Sequence, residues 1–95
     1  MCIRVDKNDE HDVFIGRPSI YGNPFIIGKD GTRSQVIEKF EEYFTKLSNI
    51  KELLNDIEGK RIACWCKIND NCHGDVIVKL IKNRRKEEFL NNLFD

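Results

Sequence analysis

Residues 61–81 read Arg61-Ile62-Ala63-Cys64-Trp65-Cys66, then Lys67-Ile68-Asn69-Asp70-Asn71, then Cys72-His73-Gly74-Asp75, then Val76-Ile77-Val78-Lys79-Leu80-Ile81. The first six residues form a short, mostly apolar run bounded by polar residues, which predicts a strand over Arg61–Cys66. Val76, Ile77, Leu80 and Ile81 recur at three-four spacing, which predicts an amphipathic helix. A strand that runs through a polar loop into a helix is half of an α/β unit. Such junctions are where open α/β sheets place their ligands.

The other half lies upstream. Val13-Phe14-Ile15 is a compact apolar run that stops at Gly16, a second predicted buried strand. Val36, Ile37, Phe40, Phe44 and Leu47 give one apolar helical face, with Thr32 or Ser34 as N-cap. Leu53, Leu54 and Ile57 continue it in a second short helix, with Asn49 and Glu52 as a capping box and Gly59 as C-terminal cap. This helical stretch between Phe14 and Ile62 is long enough for a right-handed parallel crossover. Met1–Val5 is a further β-compatible piece, with Ile3 and Val5 on one face. The expected fold is a small Rossmann-like α/β sandwich, with a mainly parallel sheet of three or four strands flanked by helices. It forms a single domain over residues 1–95, with a C-terminal helical extension over 82–95. Phe89, Leu90, Leu93 and Phe94 in that extension either cover the domain's own core or form the seam of a homodimer.

Bulk properties narrow the function. The 95 residues carry 16 basic and 16 acidic side chains. With no net positive field, direct nucleic-acid binding is not expected. The Lys82, Arg84, Arg85, Lys86 cluster is followed at once by Glu87 and Glu88, and reads as a solvated helix face. No segment resembles a signal peptide or a membrane span, so a cytoplasmic location and reduced thiols are expected.

Arg17 to Arg33 holds both prolines and three of the six glycines, and is read as a long loop with a short extended piece at Phe25-Ile26-Ile27. Long loops in compact domains are often functional. Gly16-Arg17-Pro18-Ser19 and Tyr21-Gly22-Asn23-Pro24-Phe25 follow the Val13 strand on the crevice side. Arg17 and Arg33 suit a phosphate or carboxylate. Asn23 suits a base or ribose edge, and Tyr21 or Phe25 a stacked ring; each of these also suits a turn or core position.

Cys64, Cys66, Cys72 and His73 admit three readings. As ligands they would form a zinc site, although one-residue spacing and adjacent Cys-His are unusual for structural zinc. Cys72 could be a nucleophile assisted by His73, although sequence neighbours on a helix do not face each other. In the third reading, which these arguments favour, Cys64 and Cys66 are small packing residues. Cys72, His73, Gly74 and Asp75 are then a helix start whose amides and dipole attract an anion. Trp65 is either a core residue or a stacking wall.

Taken together, Ile15-Gly16-Arg17-Pro18-Ser19, Gly22-Asn23-Pro24-Phe25, Asp30-Gly31-Thr32-Arg33, Gly59-Lys60-Arg61, Cys64-Trp65-Cys66 and Cys72-His73-Gly74-Asp75-Val76 resemble domain-of-unknown-function family 4326, small proteins of bacteria and phages. The resemblance spans residues 13–81. The motif layout is similar to Rossmann-like nucleotide-binding domains, an analogy that sets only an expectation. The expected function is binding of a nucleotide-like, phosphate-bearing small molecule, to sense or sequester it. Its crevice would lie between the Gly16–Phe25 loop and the Cys72–Asp75 helix start, with Gly16, Arg17, Ser19, Tyr21, Asn23, Arg33, Trp65, Cys72, His73, Gly74 and Asp75 as contacts. Two alternatives stand. One is an enzyme acting at an N-glycosidic or phosphoanhydride bond through Cys72, His73 or Asp75. The other is a small zinc-stabilised interaction module. Apart from that zinc, no cofactor is expected.

Overall fold

A computed structural model of the protein describes residues 2–94, with side chains described as far as residue 84. The elements run β1 (Ile3–Arg4), β2 (Val13–Phe14), α1 (Arg33–Thr45), α2 (Ile50–Ile57), β3 (Arg61–Ala63) and α3 (His73–Phe94). The three strands form one sheet in the order β1-β3-β2. Both pairings with the central β3 are parallel, in register Ile3 with Arg61 and Val13 with Ile62. The α/β class and the parallel sheet are those predicted, with three strands.

The core follows from the periodicities. Phe40 and Phe44 of α1 stack at 5.1 Å between ring centroids, and Ile57, Ile62 and Ile77 join them without solvent exposure. The α1 start is a capping box: Thr32 accepts from the Gln35 amide while the Gln35 side chain accepts from the Thr32 amide. Gly59 follows the end of α2 with φ +79°, in keeping with its predicted capping role.

Several boundaries differ from expectation. β3 ends at Ala63, because the chain bends at Trp65 and Cys66. There Trp65 packs edge-on against Phe14 and its indole N–H donates to the Arg17 carbonyl. Asn49 precedes α2 but its side chain makes no capping bond, so the Asn49–Glu52 box does not form. The extended piece near Ile27 amounts to a single bridge to Gly31. At β1 the inward residues are Arg4 and the preceding Cys2, while Ile3 is exposed. The two C-terminal apolar clusters belong to one helix, α3. The predicted seam of Phe89, Leu90, Leu93 and Phe94 lies outside the described side chains. Among the described residues no helix is long and apolar enough to cross a membrane.

Candidate functional site

At the C-terminal ends of β2 and β3 the two motif clusters close around a cavity of about 290 Å³. Its walls include Gly16, Arg17, Asn23, Arg33, Trp65, Cys72 and His73 from the predicted set, together with Cys64 and Cys66. Phe25, Ile26, Ile27, Val36, Ile37 and Asn71 complete the lining and supply an apolar side. Parallel topology explains the meeting: both strands point the same way, so the segments that leave them emerge side by side.

Gly16 makes the close approach possible. A Cβ at this position would lie 2.7 Å from the Phe14 ring and 2.7 Å from Trp65 Cδ1. Trp65 thus lies across the Gly16 backbone while 64% exposed, an aromatic face at the mouth of the cavity. Lys7 Nζ stands 5.6 Å from its ring centroid. Arg33 donates to the Asn71 carbonyl at 2.9 Å and approaches Cys66 Sγ at 3.6 Å. It therefore ties the start of α1 to the loop before α3 and remains partly exposed toward the cavity.

Other predicted contacts serve the scaffold. The buried Tyr21 hydroxyl donates to the Leu53 carbonyl, and Tyr21 is not in the lining. The Ser19 hydroxyl accepts from the Tyr21 amide within the turn. Asn23 donates from Nδ2 to the Val36 carbonyl and accepts at Oδ1 from the Phe25 amide, so both ends of its amide are engaged. Gly74 lets α3 approach the sheet, since a Cβ there would lie 2.9 Å from Ile15 Cδ1 and 3.0 Å from Arg4 Cδ.

The helix start is capped by sulfur in place of oxygen, with a reciprocal bond to the third helical residue. Cys72 is the N-cap; its Sγ accepts from the Gly74 amide at 3.4 Å, and its own amide donates to Asp75 Oδ2 at 3.0 Å. Three of the amides expected to receive an anion, those of Cys72, Gly74 and Asp75, are thus satisfied within the chain, the last by the Cys72 carbonyl. Asp75 Oδ1 also pairs with Arg4 Nε at 3.3 Å. Arg4 was not among the predicted site residues. Its Nη2 donates to the carbonyls of Lys67, Ile68 and Asp70, which folds the polar loop back onto the sheet.

His73 is buried, with the edge of Phe40 against its ring at 5.0 Å between centroids. Its Nε2 lies 2.9 Å from the Ile15 carbonyl, which can only accept, so Nε2 carries the proton and Nδ1 is left as the acceptor. Nδ1 faces Cys72 Sγ at 3.4 Å. The two side chains meet because Cys72 caps the helix from outside it, a placement that the rule for helical neighbours does not cover. Burial lowers the pKa of His73 and favours the neutral ring. Cys64 and Cys72 share a sulfur–sulfur contact of 2.8 Å, and all four cysteines are free. The hydrogen-bonded contact with Cys72, together with burial, pushes the Cys64 thiol up. The Cys72 thiol is lowered by its hydrogen-bonded contact with Cys64 and, against its burial, by the Gly74 N–H. Cys64, Cys66 and Cys72 place their sulfurs within 4.8 Å of one another, a set able to hold a metal ion. Spacing alone had favoured packing roles for Cys64 and Cys66.

A family model described as "Domain of unknown function (DUF4326)" matches residues 3–83, reaching further toward the N-terminus than the resemblance read from motifs. The chain belongs to that family. No curated protein and no solved structure matches it.

Proposed function

We propose that this member of the DUF4326 family binds a nucleotide-like, phosphate-bearing small molecule in the crevice between the Gly16–Phe25 loop and the Cys72 end of α3, and so senses or sequesters it. The observation that carries the reading is one cavity lined by Arg17 and Arg33 on an apolar floor, with the exposed ring of Trp65 at its mouth. Guanidinium groups suit phosphate, and an exposed indole suits a base. At about 290 Å³ the space is at the lower end of the roughly 300–1,000 Å³ usual for ligand pockets. That size favours a nucleoside mono- or diphosphate over a dinucleotide. Arg17 and Arg33 hold the phosphate in this reading, because the Cys72 and Gly74 amides are already bonded. Free thiols throughout suit a reducing, cytoplasmic setting.

The chain has a single tryptophan, so Trp65 fluorescence reports on the crevice. Titration with a panel of nucleoside mono- and diphosphates, backed by calorimetry, should give a saturable change for at least one member. Combined Arg17→Ala and Arg33→Ala should abolish it. If the folded wild-type protein binds none of the panel, the reading is wrong.

A further inference from the structure

We propose that Cys64, Cys66 and Cys72 bind one zinc ion as a tris-thiolate centre whose fourth coordination position opens into the crevice. The three sulfurs already lie within 4.8 Å of one another, and all three residues line the cavity. Zinc holds thiolates at about 2.3 Å, which in a tetrahedron sets sulfurs about 3.8 Å apart. A cluster of this size reaches that arrangement through small side-chain adjustments.

The scaffold around the sulfurs is assembled by the chain's own contacts. Cys64 and Cys66 stand where the chain leaves β3, and Cys72 caps α3. The loop between them is fixed by Arg4, which takes the carbonyls of Lys67 and Asp70, and by Arg33, which takes that of Asn71. Little ordering therefore remains for the ion to impose. N–H donors also face the sulfurs: Gly74 toward Cys72, and Arg33 toward Cys66 at 3.6 Å. Packing alone gives a sulfur no need of a cation. Three thiolates around a divalent ion carry one net negative charge, and guanidinium and amide donors offset it. His73 is not among the side chains whose ligand atoms all lie within 4.8 Å of one another; its Nε2–H is held by the Ile15 carbonyl and its Nδ1 faces Cys72 Sγ at 3.4 Å from outside the sulfur triangle. With three protein ligands, the fourth position is left to water or to an oxygen of a crevice ligand. Binding replaces up to three S–H bonds by Zn–S bonds and releases those protons to solvent.

The proposal does not depend on the nucleotide reading, because thiolate–metal binding is measured with no nucleotide present. The full chain, purified reduced and kept anaerobic, is titrated with Co(II) and then with Zn(II). Expected are one Co(II) per chain taken up with proton release, a sulfur-to-cobalt charge-transfer band with tetrahedral d–d absorption, and loss of both absorptions as Zn(II) displaces Co(II). Cys66→Ser, at a half-exposed position, should keep the far-UV circular dichroism and weaken the metal by at least about tenfold. Cys2→Ala, outside the cluster, should leave affinity unchanged. The proposal fails if the folded wild-type chain takes up neither ion, or if Cys66→Ser binds as tightly as wild type. It also fails if the reduced chain takes up no metal and air oxidation instead gives a Cys64–Cys72 disulfide.

Discussion

Arg4 Nε and Asp75 Oδ1 stand 3.3 Å apart, joining β1 to the first turn of α3, while the other carboxylate oxygen of Asp75 accepts the Cys72 amide. A residue that looked in sequence like a general acid or base is thus engaged on both oxygens by the scaffold. Asp75→Ala removes one capping bond and one ion pair to a nearly buried arginine. The expected loss is about 1–3 kcal/mol of stability. Urea unfolding should show it as a lower midpoint with unchanged slope. Ligand affinity of the folded variant should change little. A stable Asp75→Asn protein that lost all binding or turnover would give Asp75 a direct role instead.

Trp65 makes the opposite prediction. Its ring is mostly exposed, so Trp65→Ala should cost only about 1 kcal/mol of stability, from the lost Phe14 contact and the bond to the Arg17 carbonyl. If the indole stacks on a base, truncation should cost about 1–3 kcal/mol of binding. Calorimetry on Trp65→Ala and Trp65→Phe separates stacking from bulk, because phenylalanine should recover part of the affinity.

Gly16 connects the two walls of the crevice. In Gly16→Ala the new methyl group meets Phe14 and Trp65, and the exposed indole is the group free to yield. Overpacking of this kind costs roughly 1–3 kcal/mol in a packed core, and less at a partly open site. Trp65 fluorescence should shift in the free protein and nucleotide affinity should fall, with only a modest drop in melting temperature. An unchanged spectrum would show that the Trp65 ring does not rest on Gly16.

What could be read in advance depended on how local its cause is. The apolar run at Val13–Ile15 and the spacing of Val36, Phe40 and Phe44 are local patterns, and they became β2 and the buried face of α1. Parallel order then sufficed to bring Gly16, Arg17 and Arg33 near Cys72. Tyr21 and Asn23 were ambiguous because a phenol or an amide suits a ligand and a backbone carbonyl equally well; Asn23 lines the cavity while Tyr21 does not. Their partners, Leu53 and Val36, lie on helices whose docking is a tertiary matter. Arg4 meets partners more than sixty residues away, and its only local signal was a charged residue in a short strand. The cysteines converge because the chain bends at Trp65 and Cys66 and because Arg4 and Arg33 tie down the following loop. Neither cause is visible in residue spacing.

Asp12 and Arg61 give a prediction about pH. Asp12 Oδ2 accepts from the Arg61 amide at 2.8 Å and from Nε at 3.3 Å, and Oδ1 accepts from Nη2, clasping the start of β2 to β3. The Arg61 side-chain and amide hydrogen bonds hold the Asp12 carboxyl below its ordinary value of 3.8. In the unfolded chain the group binds its proton at the higher pH, so folding favours the ionised form. The contribution is fully present above about pH 3.8 and is lost as pH falls through the lower, folded value. The clasp is exposed, so salt should weaken it. Denaturant midpoints of wild type and Asp12→Asn, compared from pH 7 down to pH 2.5, should differ at neutral pH. They should converge only at the acid end, and the gap should narrow in high salt. A gap that stays constant down to the lowest pH would place the stabilisation in the neutral hydrogen bonds of Asp12, which asparagine partly keeps, and would remove the ionic contribution from the β2–β3 clasp.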